Sequence, residues 1–177
     1  MKRLYIILIV LLISCSENEQ TKLIVEDIPD DPVLTILIKE YENINYQTLE
    51  FISESTGFDL SLIENYKPKG EMLISFHNTS KNILDLFLIH EFTDTLSNKL
   101  LDSVSYGGKN IYIDKNSNFL TQQNNFLYLS KNKLLIENVI RNSTYSSNIE
   151  FEKFQKLYEN KSKNISLIVK ENYNGLK

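Results

Sequence analysis

An apolar run over residues 4–13 ends just short of Cys15, and Cys15 is the only cysteine in the chain. A single thiol cannot close an intramolecular disulfide, so whatever folds here must be held by buried apolar surface rather than by covalent staples. The run is about ten residues long, half of the roughly twenty that a helix needs to cross a bilayer. The rest of the chain has the means to build a core. Of 177 residues, 42% are hydrophobic and 24% charged, values that argue against wholesale disorder and suit one domain. Alanine is absent while Asn, Ile, Lys, Leu and Tyr are plentiful, a bias read as that of an AT-rich genome.

Met1-Lys2-Arg3 is a short basic segment, and the apolar run behind it has the length of a signal-peptide core. The run ends Leu12-Ile13-Ser14-Cys15, which resembles a bacterial lipobox: apolar residues, a small residue, then the cysteine that becomes the new amino terminus. The resemblance implies that the Cys15 thiol accepts a diacylglyceryl group and that a peptidase cuts between Ser14 and Cys15. It divides the chain into a signal peptide at 1–14, a lipidated cysteine with its tether at 15–27, and one domain at 28–177. Lipid on Cys15 implies membrane attachment. One acyl chain binds only marginally, whereas the two or three of a lipoprotein hold stably.

Cleavage removes Lys2 and Arg3, leaving 17 basic and 23 acidic side chains and a net charge of −6. So acidic a chain has no electrostatic footprint for nucleic acid, and no polybasic patch for anionic lipid. Ser16-Glu17-Asn18-Glu19-Gln20 follows the cysteine. This acidic stretch resembles the surface-export signal of Bacteroidota lipoproteins, and by its residues alone it is equally a soluble tether. Ser16 stands where the inner-membrane retention signal of enteric bacteria has aspartate. The expected location is the outer membrane or cell surface.

The remainder reads as alternating short elements. Ile28-Pro29-Asp30-Asp31-Pro32 is a turn-rich lead-in, and residues 33–38 are a buried strand, β-branched and almost wholly apolar. Asn45 caps a helix running to about Ser55, with Ile44 and Leu49 at staple spacing and Gly57 as a left-handed stop. Asp59 caps a second helix over 60–66, ended by Pro68. Residues 71–77 and 83–92 read as paired strands. Val104-Ser105-Tyr106, Gly107-Gly108 and Ile111-Tyr112-Ile113 read as a hairpin, and residues 119–121 and 126–129 as another around Gln122-Gln123-Asn124-Asn125. Leu134, Leu135, Asn138 and Val139 follow helical spacing to Arg141. Ser147-Asn148-Ile149-Glu150 is a capping box before a helix with Phe151, Phe154 and Tyr158 on one face. Residues 165–169 close as a strand. The order predicts an α+β fold, a mostly antiparallel sheet with helices packed on one face.

The same pattern resembles the amino-terminal module of long Bacteroidota envelope lipoproteins of unknown function. The resemblance runs through the signal, the apolar strand, Glu71-Met72-Leu73-Ile74-Ser75-Phe76, the stretch 126–142 and the Phe151–Phe154 helix. It covers nearly the whole chain and rests on apolar pattern. It implies that this chain is either a first module or a truncated product, and it brings no catalytic residues.

Motifs that carry chemistry are few. His90-Glu91-Phe92-Thr93-Asp94 resembles the start of a zinc-protease helix, but Asp94 occupies the place of the second histidine. On a strand His90 and Asp94 would lie about 13 Å apart. His90 reads as an edge or hairpin histidine and His77 as solvent-facing. Even brought together across their hairpin, the two make only an incomplete ligand pair. No serine sits in a G-x-S-x-G elbow, and Gly107-Gly108 lacks the Lys-Ser/Thr of a phosphate cradle. No cofactor, metal site or catalytic residue is assigned. The 19 Tyr and Phe read chiefly as core, with a carbohydrate platform as the alternative. Asp94-Thr95-Leu96 and Asp102-Ser103-Val104 match the short Bacteroidota O-glycosylation pattern, making Thr95 and Ser103 candidate acceptors. The expected function is a membrane-anchored, non-enzymatic interaction or structural module with an envelope protein partner; the alternative is a surface glycan-binding or glycan-processing lipoprotein.

Overall fold

The computed structural model describes residues 24–80, 83–92, 96, 100–141, 155–156, 158–159 and 163–170. Within them the protein is α+β and mostly antiparallel sheet. The strands are β1 (Pro32–Ile38), β2 (Lys69–Ser80), β3 (Ile83–Glu91), β4 (Leu100–Tyr106), β5 (Lys109–Asp114), β6 (Phe119–Gln123), β7 (Phe126–Ser130) and β8 (Ile165–Val169). They form one sheet in the order β4-β5-β6-β7-β3-β2-β1-β8, antiparallel at every pairing. The helices are α1 (Tyr46–Thr56), α2 (Ser61–Tyr66) and α3 (Lys133–Ile140), and a 3-10 turn spans Ile24–Asp27. No described helix is long and apolar enough to cross a membrane.

Local chemistry explains the element ends. Asn45 accepts a hydrogen bond from the Thr48 amide at 2.8 Å, and Gly57 stops α1 at φ 71°. Asp59 accepts from the Ser61 amide at 3.0 Å just ahead of α2, but the N-cap position is Leu60, which makes no side-chain capping bond, so the cap expected at Asp59 is displaced by one residue. The hairpin between β4 and β5 turns on Gly107 and Gly108, with φ 56° and 76°. Two consecutive positive values are what a tight hairpin turn needs, and glycine adopts them without steric cost.

Side-chain alternation sends each central strand into two cores. Ile36 and Ile38 of β1, Met72, Ile74 and Phe76 of β2, Leu88 of β3, and Leu127 and Leu129 of β7 point to the front, where Leu49, Ile52, Phe58, Leu62, Ile63 and Tyr66 cover them. Leu37, Leu73, Phe87, Ile89 and Tyr128 point to the back, beneath Ile24, Val25 and Ile28 and the α3 residues Leu135, Ile136 and Val139. The helices therefore pack on both faces, not on one. The reason is in the strands: a sheet apolar on both sides must be covered on both.

The back cover changes two further expectations. Ile24, Val25 and Asp27, assigned by sequence to the tether, are buried, so the folded body includes Ile24–Asp27. Of the helix expected over 147–158, Phe151 and Phe154 lie outside the described residues. Gln155, Lys156, Tyr158 and Glu159 are helical, and Tyr158 packs on the back core and donates to Glu71 Oε1 at 2.5 Å.

A polar pin holds the amino-terminal cover in place. The Tyr128 hydroxyl donates to Asp27 Oδ2 at 2.6 Å with both residues buried, and burial followed by the Asp27 charge pushes the phenol far above its ordinary pKa. Removing a donor from a buried carboxylate costs about 1–3 kcal/mol. Tyr128→Phe should therefore lower unfolding stability in urea by about that amount; a loss below about 0.5 kcal/mol would show that the pin contributes little.

Candidate functional site

The arrangement nearest to a catalytic one is Ser75 and His77 on β2. Ser75 Oγ and His77 Nε2 are 2.8 Å apart, and His77 Nδ1 lies 3.3 Å from the Asp30 carbonyl oxygen. A carbonyl accepts only, so Nδ1 carries the proton and Nε2 accepts from the serine hydroxyl. The order hydroxyl, imidazole, orienting acceptor is that of a nucleophile and its base. Access is missing, however. Ser75 is 0% and His77 2% exposed, with the Phe87 ring edge-on to the imidazole at 6.3 Å. No substrate reaches the hydroxyl, and the bonds instead satisfy polar groups inside the back core. The solvent-facing role expected for His77 is thus corrected. Position 77 shares the inward parity of Leu73 and Ser75, because β2 runs between two covered faces.

His90 is also not an edge residue. It lies in β3, between β2 and β7, 0% exposed, with Nδ1 donating to the Glu91 carbonyl at 2.7 Å. Its Nε2 is buried and finds no hydrogen-bond partner among the described residues. The register pairs His77 with Asp85 and His90 with Met72, which sends the two imidazoles to opposite faces and separates them along the hairpin. Asp94 lies outside the described residues. Among the described residues, no group of three or more His, Cys, Asp or Glu could hold a metal ion.

A second buried polar cluster clamps α2 to the front of the sheet. Asp114 Oδ2 accepts from the Tyr66 hydroxyl at 2.6 Å and from Asn118 Nδ2 at 2.8 Å; Oδ1 accepts from the amides of Asn116 and Asn118 at 2.8 and 2.9 Å. Burial pushes this carboxyl up, but the hydrogen bonds from Tyr66, Asn118 and Asn116 outweigh it and hold it below its ordinary range. Four donors on one carboxylate make a structural knot, with no lone pair evidently spared for a ligand.

The open chemistry lies at the other end of β5. A cleft of about 700 Å³ runs along the front of this strand, lined by Leu96, Leu100, Gly108, Lys109, Asn110, Tyr112, Gln122 and Asn124. Tyr112 is half-buried with its ring against the front core. Asn110, Tyr112, Leu120 and Gln122 fall on the front by alternation from the Tyr112–Leu120 pair. Thr121 Oγ1 donates to the Asn110 carbonyl at 3.0 Å and ties β5 to β6 beneath the cleft. The side chains of Gln122 and Asn124 make no hydrogen bond to a described residue, and the Asn110 amide reaches only the Tyr112 hydroxyl at 3.5 Å. Lys109 is the one charge among the described lining residues. The arrangement can bind, through amide donors and acceptors beside an aromatic ring, and the described lining residues include no nucleophile–base pair.

Sequence reading took Gln122 and Asn124 for parts of a polar turn and missed them. The available signal was that Gln122 follows Leu120 by two positions, so an amide stands where core-facing alternation calls for an apolar residue. Of the expected modification sites, Ser14, Cys15 and Thr95 lie outside the described residues. Ser103 is exposed on edge strand β4, opposite Tyr112, with its amide donating to Asp102 Oδ1 at 2.7 Å.

No family model matches the chain, and no curated protein matches it in sequence. Among solved structures it is similar to crystal form I of TP0453, with a TM-score of 0.52 and 10% identity over 86% of this chain. The match takes in 64% of that chain, so this protein spans less than two thirds of the length of TP0453. A likeness at that identity shows a shared fold alone.

The buried imidazole makes stability depend on pH. Burial lowers His77 from its ordinary 6.5 to about 4, against smaller raising effects from Asp30, Asp31 and Asp85. Burial also lowers His90. Between these pH values the unfolded chain binds the proton and the folded one does not, so the stability contributed by neutral His77 is intact above pH 6.5 and is lost as the pH falls toward 4. The loss is on the order of 3 kcal/mol. Urea midpoints measured from pH 7 to pH 4 should fall, and His77→Gln should flatten the fall; an unchanged slope in the variant would assign it to another group.

Proposed function

We propose that this chain is a lipid-anchored, non-enzymatic interaction module of the bacterial cell envelope, held at the outer membrane or cell surface through Cys15. The observation that carries the reading is the placement of the one cysteine directly after Ser14 at the end of an apolar run too short to span a bilayer. The enclosure of the Ser75–His77 pair supports the non-enzymatic part, since the most reaction-like geometry among the described residues is closed to substrate. The cleft along β5 supports the interaction part: its volume falls within the range of about 300–1,000 Å³ typical of ligand sites, and the side chains of Gln122 and Asn124 on its lining make no hydrogen bond to a described residue. In this reading residues 1–14 are a removed signal peptide. Residues 16–23 are the tether, and the folded module presents the cleft to another envelope component.

Cells grown with radiolabelled palmitate should label the wild-type protein and leave Cys15→Ala unlabelled, unprocessed at position 14 and absent from the lipid-anchored fraction. A Cys15→Ala protein that is still cut normally and still membrane-bound would overturn the anchor.

A further inference from the structure

We infer that the cleft along β5 is a saccharide-binding site, with Tyr112 as its platform and the side-chain amides of Asn110, Gln122 and Asn124 as partners for sugar hydroxyls. The inference rests on reading the cleft as the module's binding surface and deepens it by naming the ligand class.

Three features of the lining converge on that class. A sugar hydroxyl both donates and accepts, and so does a side-chain amide, which offers an N–H₂ pair and a carbonyl oxygen. Three such amides border this cleft, and those of Gln122 and Asn124 are not engaged by any described residue. A pyranose also carries an apolar face of C–H groups, which packs on an aromatic ring. Tyr112 supplies that ring next to Asn110 and Gln122, with Leu96 and Leu100 extending the apolar bed. Finally, among the described lining residues Lys109 is the only charged one, so most of the polar lining is neutral and suits a neutral ligand.

The geometry disfavours the other classes. An acyl chain would bury Asn110, Gln122 and Asn124 against hydrocarbon without partners, at a cost of several kcal/mol in such surroundings. An extended peptide would engage the unpaired backbone of an edge strand, and of the described lining residues only Leu100 belongs to one, β4. Nucleic acid is opposed by the chain's formal charge of −4.

The fold keeps the site open. Gly108, at φ 76°, contributes bare backbone to the cleft wall, and the space where its Cβ would stand is empty within 4 Å. The front helices cover the sheet over the central strands, and the cleft begins where β5 and β6 present amides in place of Leu and Ile.

The test is binding of the detergent-solubilised full-length protein to malto-, cello- and chito-oligosaccharides on an array, followed by calorimetry on the best binder. Tyr112→Ala should weaken binding at least tenfold. Because Tyr112 also touches the core, Gln122→Glu and Asn124→Asp serve as near-isosteric companions. Each should weaken binding several-fold while leaving the urea midpoint near that of the wild type. Binding that survives all three changes, or an array left blank by folded protein, overturns the saccharide assignment. A photo-crosslinker at position 122 distinguishes the two readings. Capture of a polypeptide beside a blank array removes the sugar and keeps the anchored interaction module, whereas sugar binding by protein that takes no palmitate keeps the site and removes the anchor.

Discussion

The strands at the centre of this sheet are apolar on both faces, and the rest of the architecture answers that constraint. β1, β2, β3 and β7 alternate between two cores, so a slip of one residue in any pairing would not expose a polar edge but would exchange one packed layer for the other. Such strands are stable only with cover on both sides. On the front the cover is the consecutive pair α1 and α2. On the back it is assembled from distant pieces: the turn Ile24–Asp27, α3, and Tyr158. The edge strands differ. β4 is largely exposed along its length, and β8 leaves Leu167 and Val169 exposed, as expected where cover runs out.

Polar groups inside the two cores set how those covers sit. On the back, Tyr128 reaches Asp27, and His77 reaches both Ser75 and the Asp30 carbonyl, so the segment preceding β1 is tied to β7 and β2. On the front, Tyr66 reaches Asp114 and fixes the end of α2 over β5. Each pair is satisfied internally, which is what makes it tolerable in an apolar layer and also what removes it from chemistry. The same economy explains the cleft: its amides are front-face polar groups that no described helix covers.

Much of the fold was legible along the chain because its signals are local. Asn45 and Gly57 bracket α1 through contacts within four residues, and Gly107-Gly108 turn a hairpin. Residues 71–77 and 83–92 read as strands joined by a turn, and the structure pairs them. The candidate site was less legible. A polar Gln122 beside a run of Gln and Asn looks like turn chemistry, and only the pairing of β5 with β6 sets it across from Asn110 and Tyr112. His77 was misplaced for a related reason: the end of a strand near a turn is usually wet, but this end is roofed by Asp30 and Phe87, residues from other elements.

From its residues alone this protein is committed to strands and helices in a definite order, to caps and turns at definite places, and to a core built without disulfides, because each of these depends on neighbours a few residues away or on composition. The tertiary structure alone decided which strands lie side by side, that β1 sits between β2 and β8, that helices cover both faces, and that Asn110, Tyr112, Gln122 and Asn124 border one cleft. Those outcomes come from pairing apolar surfaces distant in sequence, and a surface shows what it needs to bury without naming the segment that will cover it.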